Sequence, residues 1–214
     1  SLVVDSVVPL QIDLVAGIGK NSQKAFEVTF AACAADATCA AKYPDSMSQL
    51  REVATALDEK PVTLDGYELK SRDFLKILFQ LLYTPSGVAV VPLLIDKAAS
   101  NDFTLFEKLS GGGRGGGGLS LGMHLSLHCA EEIPFTSAEI VAEEDATVFE
   151  ELRAGFSGDY YLGYCEHWPV PPAPVTENDA ITTTIPTLVF SGSFDPITPP
   201  AYADEILKGL SNAR

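Results

Sequence analysis

The sequence Thr187-Leu-Val-Phe-Ser-Gly-Ser-Phe-Asp-Pro-Ile-Thr-Pro-Pro200 combines a short apolar run with a turn and a helix start. Its first four residues are apolar or β-branched and are bounded by turn residues, which indicates a buried parallel strand. Asp195 follows the carboxyl end of this strand. Pro199 and Pro200 predict a helix from about Ala201 to Leu210, since proline is tolerated in a first helical turn. A polar group in this position of an open α/β sheet points into the ligand crevice.

The same run resembles the acid-bearing segment of α/β-hydrolases. More narrowly, it is similar to the G-x-x-D-P-x-T-P-P run of tripeptidyl-aminopeptidase-like and prolyl-aminopeptidase-like serine peptidases. The resemblance implies that Asp195 is the acid of a Ser-Asp-His triad, in which the carboxylate orients the histidine and stabilises its imidazolium form. The alternative interpretation is that Asp195 only caps a turn or the helix that follows.

Ser1–Pro9 also has the pattern of a short buried strand, and it resembles the strand that follows the nucleophile elbow of these hydrolases by one helix. The expected fold class is therefore an α/β-hydrolase fragment, with a mainly α-helical cap and a few parallel core strands at both chain ends. The predicted domains are a core strand segment at 1–11, a helical cap (lid) at 12–180, and a core strand plus helix carrying the triad acid at 181–214.

The cap range has helical periodicity over most of its length. We expect helices at about 22–32, 46–57, 71–83, 88–99 and 102–109, with Pro92 in the first turn of the fourth, and a hairpin at 60–67 around Asp65-Gly66. The Gly-rich tract 110–118 is expected to be a flexible linker or a mobile cap loop. A phosphate-binding loop is excluded because no Lys-Ser/Thr pair follows the glycines.

The composition limits the function classes. The formal charge of −15 argues against nucleic acid and anionic membrane surfaces as partners, and it suits an amine-bearing substrate. No apolar run reaches the length of a membrane span, and no motif calls for a cofactor. The chain starts in what looks like a strand and lacks a recognisable signal peptide, so we expect its true start to lie upstream.

Four cysteines permit two disulfides with three possible pairings. Cys33 and Cys39 lie six residues apart in an alanine-rich segment, and we predict this pair together with Cys129–Cys165. The C-x5-C spacing also resembles one in the caps of the related peptidases. Such bonds would place the protein in a secreted or periplasmic location, whereas four buried free thiols would indicate a cytosolic one.

The segment 119–135 resembles a GMHLSVxCAEDxPF run of the same peptidases. By this resemblance, Glu131 and Glu132 are candidates for binding the free amino terminus of a substrate, although helix-terminal acids favoured by the macrodipole are an alternative. His124, His128, Cys129 and Glu131 also permit a metal site. We predict no metal, because the alternation of apolar and polar residues indicates an extended segment in which the two histidines are separated.

We nominate no nucleophile, and we expect the G-x-S-x-G elbow of the family to lie outside these residues. His167 precedes Asp195, opposite to the Ser-Asp-His order, and is not assigned as the base. The expected function is the specificity cap of a secreted serine hydrolase that cleaves peptides from a free amino terminus and is inactive without the missing N- and C-terminal core segments. The alternatives are a non-catalytic helical binding domain and the cap of an esterase-type hydrolase.

Overall fold

The structure, a computed structural model, describes residues 1–110 and 120–214. Apart from Ser110, the predicted Gly-rich loop lies outside these ranges. The described chain is mainly helical, with few strands, as predicted. Its helices are α1 (Leu14–Ala35), α2 (Ala37–Lys42), α3 (Ser46–Glu59), α4 (Ser71–Leu81), α5 (Pro85–Ala99), α6 (Thr104–Ser110), α7 (Leu121–Leu127), α8 (Ala138–Asp145), α9 (Glu150–Phe156), α10 (Asp159–Cys165) and α11 (Pro200–Leu207).

Two parallel strands come from opposite ends of the chain. β1 (Leu2–Asp5) pairs with β4 (Thr187–Phe190), in a register that sets Leu2 opposite Thr187 and Asp5 opposite Phe190. Residues 212–214 run along the other edge of β4, where the Val189 N–H donates to the Arg214 carbonyl at 2.9 Å. The strand that precedes Asp195 therefore lies between two neighbours, as a strand inside a larger parallel sheet does.

The faces of this small sheet differ from the prediction. Both strands have the pattern of buried strands, yet Val3 is 68% exposed and Phe190 51% exposed. Parallel strands are apolar on both faces because helices normally cover both faces. The described residues leave more than half of each of these two side chains exposed. The expectation that both strands are buried is therefore wrong for this chain by itself.

The described chain forms two compact units. One contains residues 22–110 and 148–156, and the other contains residues 1–21, 120–147 and 157–214. The predicted division at 11 and 180 remains a prediction. In the first of these units, α4 contributes Phe74, Leu75 and Leu78 to the core. The large side chains that are almost fully buried there are Phe26, Leu50, Leu69, Phe74, Leu75, Leu78, Leu94, Ile95, Phe106 and Leu152.

The hairpin and the start of helix α5 show how local chemistry sets the bounds of an element. β2 (Val62–Leu64) and β3 (Tyr67–Leu69) are antiparallel, and positive φ angles at Asp65 and Gly66 confirm the predicted turn. Helix α5 begins at Pro85 rather than at 88, because the Thr84 hydroxyl accepts a hydrogen bond from the Gly87 N–H at 3.1 Å. Pro92 consequently lies inside the helix, which corrects its predicted place in the first turn.

Residues 121–135 are helical rather than extended. Ser120 caps α7, a π-helical turn (His128–Glu132) continues it, and a 3-10 turn (Ile133–Phe135) ends it. Among residues 1–110 and 120–214, no helix combines the length and the apolar character that a bilayer span requires.

Candidate active site

Asp195 lies in the loop between β4 and α11, and its side chain is half-buried. Its Oδ1 atom accepts hydrogen bonds from the N–H groups of Ile197 at 2.9 Å and Thr198 at 2.8 Å. Its Oδ2 atom accepts a hydrogen bond from the Thr198 hydroxyl at 2.6 Å. The side chain does cap its own turn, as the alternative interpretation held, and the turn in return holds the carboxylate in a defined orientation.

The hydrogen bonds keep this carboxylate charged. Burial by itself would raise the pKa of Asp195, but donation from the Thr198 hydroxyl, the Thr198 and Ile197 N–H groups and the Ser6 hydroxyl holds the pKa below its ordinary value. Asp195 is therefore ionised at neutral pH. An ionised, oriented carboxylate is what can hold a histidine in one tautomer and stabilise its protonated form.

Ser6 brings the end of β1 to the same place. Its N–H donates to the Phe190 carbonyl at 3.0 Å, and its hydroxyl donates to Asp5 Oδ1 at 3.1 Å. Its φ of 55° is in the left-handed region, which turns the chain away from the strand directly after β1. Because β1 and β4 are parallel, their carboxyl ends coincide, and residues that follow each strand share one edge of the sheet.

Glu131 and Glu132 lie in the π-helical turn, where Glu131 is exposed and Glu132 is half-buried. Burial raises the pKa of Glu132, and the charges of Asp13 and Glu131 raise it further, against a hydrogen bond from the Leu14 N–H that lowers it. Asp13 accepts from the Ala16 N–H through Oδ1 at 2.8 Å, while its Oδ2 atom is buried without a hydrogen-bond partner among the described residues. Carboxylates therefore gather at the N-terminus of α1.

Helix α11 connects this acidic group with the Asp195 loop. Tyr202, in its first turn, is 7% exposed, and its hydroxyl accepts a hydrogen bond from Asn21 Nδ2 at 2.6 Å. Burial raises the pKa of Tyr202; the Asn21 hydrogen bond lowers it, and the charges of Glu132 and Asp13 raise it. The charge of Glu132 therefore acts on Tyr202, a residue of the helix that follows the Asp195 loop.

The cysteines form the two predicted disulfides. Cys33 is bonded to Cys39 with the Cα atoms 5.1 Å apart, and Cys129 is bonded to Cys165 with the Cα atoms 5.3 Å apart. The second bond ties the π-helical turn that carries Glu131 and Glu132 to helix α10.

His124 of α7 and His128 of the π-helical turn are adjacent, because the segment is helical. The rings of His124 and His128 are 4.3 Å apart, and His124 Nε2 lies 3.0 Å from the Tyr161 hydroxyl. The prediction that they are separated is wrong. Cys129 is in a disulfide and has no thiolate to offer a metal. In the part of the chain that the structure describes, no group of three or more His, Cys, Asp or Glu residues has the arrangement of a metal site.

One string of the chain does satisfy the G-x-S-x-G pattern, namely Gly118-Leu-Ser-Leu-Gly122, and this corrects the expectation that the pattern lies elsewhere. The structure describes it from Ser120 onward. The Ser120 hydroxyl accepts a hydrogen bond from the Met123 N–H at 3.4 Å, as a helix N-cap does, and the φ of −73° is an ordinary extended value. A nucleophile elbow requires a strained turn at the serine. Ser120 is therefore described as a cap and is not nominated as the nucleophile.

Sequence reasoning named Asp195, Glu131 and Glu132 as candidates but did not name Thr198, Tyr202 or Asn21. Thr198 had a signal, since it belongs to the G-x-x-D-P-x-T-P-P run. Tyr202 and Asn21 had none, because they are 181 positions apart and only folding brings them together.

Comparison with known proteins shows which family this chain resembles. Residues 153–214, which include β4, Asp195 and α11, match the family model described as TAP-like protein, an α/β-hydrolase family. The serine protease Hip1 of Mycobacterium bovis and that of Mycobacterium tuberculosis are each 33% identical to this chain over 79 residues, or 35% of the chain. The match spans 15% of the length of these curated relatives. The predicted resemblance to TAP-like α/β-hydrolases of serine-peptidase type is confirmed.

Proposed function

We propose that this segment of a TAP-like α/β-hydrolase supplies the triad acid and the specificity cap of a secreted serine peptidase that cleaves peptides from a free amino terminus. The observation that carries the proposal is the geometry of Asp195. The carboxylate is ionised and held by the N–H groups of Ile197 and Thr198 where β1 and β4 end together.

In this mechanism Asp195 orients the imidazole of the base and stabilises the imidazolium that forms when the base takes the proton of the nucleophilic serine. The serine attacks the peptide carbonyl, and the C–N bond breaks as the base gives its proton to the leaving amine. Water then hydrolyses the acyl-enzyme. The nucleophilic serine and the base are assigned to other core segments of the hydrolase. Among the described residues, His124 and His128 contact Tyr161.

The acidic residues beside α1 suit the recognition of an ammonium group. Glu132 and Asp13 are partly withdrawn from water, and Asp13 Oδ2 lacks a hydrogen-bond donor among the described residues. A protonated amino terminus would donate charge-assisted hydrogen bonds to these oxygens, with Glu131 at the exposed side. A blocked terminus would leave the carboxylates unpaired, which selects for substrates with a free amine.

Two further observations support a location outside the cytosol and packing against other segments of the hydrolase core. The disulfides Cys33–Cys39 and Cys129–Cys165 favour an oxidising compartment, outside the cytosol. The exposed apolar side chains of β1 and β4 have the character of a sheet that packs against further layers, and the proposal assigns this cover to the other segments of the hydrolase core.

The first experiment replaces the acid in the intact protein that contains this chain. Asp195→Asn is expected to lower kcat on aminoacyl substrates about 10⁴-fold, because the imidazole loses its orienting carboxylate. Asp36→Asn is the matched control, since Asp36 also accepts two backbone N–H bonds, at 2.9 and 2.8 Å, but as the cap of α2. Full activity of Asp195→Asn would contradict a hydrolase that uses this acid.

The second experiment tests recognition of the amino terminus. Glu132→Gln is expected to raise KM for free-amine substrates about tenfold, the loss of roughly 1.5 kcal/mol from one charge-assisted hydrogen bond. Amine-blocked substrates should be unaffected, and so should a control variant, Glu143→Gln, at an exposed position of α8. Equal or better hydrolysis of amine-blocked esters by the unaltered protein would instead identify an esterase.

A further inference from the structure

We infer that Thr198 is a positioning residue for Asp195: its hydroxyl fixes the rotation of the carboxylate, so that one edge of Oδ2 is presented to the catalytic base. The inference rests on the proposed function only for the identity of that base. The contact itself is a feature of the described chain.

The hydrogen bonds of Asp195 divide unequally between its two oxygens. Oδ1 accepts the N–H groups of Ile197 and Thr198, which accounts for both of its lone pairs. Oδ2 accepts the Thr198 hydroxyl at 2.6 Å. The direction of the other acceptor position of Oδ2 is set by where the Thr198 hydroxyl lies.

Thr198 is well suited to hold this position. It is 8% exposed, so its hydroxyl is shielded from competing water. The proline that follows, Pro199, disfavours the helical region for the residue before it and keeps Thr198 out of α11. The hydroxyl is therefore presented to Asp195 by a backbone that has few alternatives.

Ser6 is the other hydroxyl near Asp195, but it cannot take the same role. A serine hydroxyl has one proton to donate. The Ser6 hydroxyl lies 3.1 Å from Asp5 Oδ1 and also acts on Asp195, so two carboxylates share that proton. The Thr198 hydroxyl donates to Asp195, and its neighbouring N–H donates to the other oxygen of the same group.

The experiment measures the titration of the Asp195 carboxyl by carbon-detected NMR in this 214-residue chain. Thr198→Val keeps the β-branched shape and removes the hydroxyl, and it is expected to raise the pKa of Asp195 by about one unit, a tenfold change in proton affinity. Thr198→Ser retains the donor and should keep the pKa of the unaltered chain. Thr187→Val is the matched control, because Thr187 is 6% exposed and its hydroxyl donates to the Ile185 carbonyl.

A kinetic measurement in the intact protein tests positioning rather than structure. Thr198→Val is expected to lower kcat about 10- to 100-fold with KM unchanged, as a slight misplacement of the acid would. Thr198→Ser should restore the rate. Thr198→Ala gives a second hydroxyl-free variant should valine prevent folding, and the same loss is expected.

The results separate this inference from the proposed function. If Thr198→Val leaves both the pKa of Asp195 and kcat unchanged while Asp195→Asn abolishes activity, the positioning role is wrong and the proposed function stands. If Thr198→Val shifts the pKa of Asp195 while Asp195→Asn retains full activity, the contact is real but the catalytic role of both residues is overturned.

Discussion

Asp195 and Glu132 are both half-buried carboxylates, yet their pKa values shift in opposite directions. Burial raises both pKa values. Asp195 receives enough hydrogen bonds to reverse this effect, whereas Glu132 receives one from the Leu14 N–H and lies beside the like charge of Asp13. The number of donors thus separates a carboxylate suited to a permanently charged triad acid from one whose charge gains from a cationic ligand.

The imidazole of His128 provides a test at the same scale. Burial, and the neighbouring His124, lower the pKa of His128 from 6.5 to about 4. The unfolded chain therefore binds a proton between pH 6.5 and 4 that the folded chain does not. Stability contributed by neutral His128 is complete above pH 6.5 and is lost as the pH falls towards 4, by about 1–2 kcal/mol after allowance for solvent screening.

The measurement is urea unfolding at pH 7 and pH 4.5 for the unaltered chain and for His128→Gln. The carboxylates titrate in both proteins, so the difference between their pH dependences isolates the histidine. We expect the unaltered chain to lose more stability on acidification than His128→Gln does. Equal losses would show that His128 protonates in the folded state at its ordinary pKa.

Among the elements, α7 shows how tertiary contacts override a local pattern. Its alternation of apolar and polar residues indicates a strand, but Ser120 caps it as a helix. The Trp168 indole N–H then donates to the Ser126 hydroxyl at 3.0 Å, and His124 contacts Tyr161. These contacts stabilise a helical α7. The sequence pattern of α7 does not predict them, because Trp168 and Tyr161 lie some forty residues further along the chain.

In the first turn of helix α5, Gly87 packs closely against the Leu81 carbonyl. Alanine substitutions at Gly87 and at a second, unhindered glycine test this contact. A Cβ atom at Gly87 would lie 1.9 Å from the Leu81 carbonyl oxygen, so Gly87→Ala is expected to destabilise the fold by about 2–3 kcal/mol. A Cβ atom at Gly163 of α10 would meet nothing within 4 Å. Gly163→Ala should therefore stabilise by about 0.5–1 kcal/mol, the usual gain in a helix.

Thermal unfolding of the two glycine variants, followed by circular dichroism, gives the comparison. The predicted order is Gly163→Ala, then the unaltered chain, then Gly87→Ala, from highest to lowest Tm. A Gly87→Ala variant as stable as the unaltered chain would mean that the Leu81 carbonyl can move without cost.

At the scale of the whole molecule, one of the two compact units is stabilised by contacts between residues that are distant in sequence. The unit made of residues 1–21, 120–147 and 157–214 is assembled from three separate stretches. Its β1 and β4 come from opposite ends of the sequence, and Cys129 and Cys165 link two of its stretches across 36 positions. Contacts between distant parts of the chain, rather than local ones, hold the candidate site together.

The two disulfides are therefore expected to contribute unequally to stability. The Cys129–Cys165 bond closes a loop of 36 positions, which corresponds to about 4 kcal/mol from the restriction of the unfolded chain, against about 2 kcal/mol for the 6-position Cys33–Cys39 loop. Chemical denaturation of Cys129→Ala/Cys165→Ala and Cys33→Ala/Cys39→Ala double variants measures both. A larger loss from the short loop would contradict the entropic explanation.

Local sequence was sufficient for much of this protein: the helices with amphipathic stripes, the Asp65-Gly66 hairpin, the Cys33–Cys39 disulfide and the strand–turn–helix that carries Asp195. Each depends on residues close in sequence or on a spacing that the family resemblance supplied. The joining of Asp195 to Ser6, of Tyr202 to Asn21, and the helical state of α7 depended on tertiary structure, because their partners lie far away along the chain. A sequence pattern reports what a residue prefers, whereas folding decides which distant donor or charge is beside it.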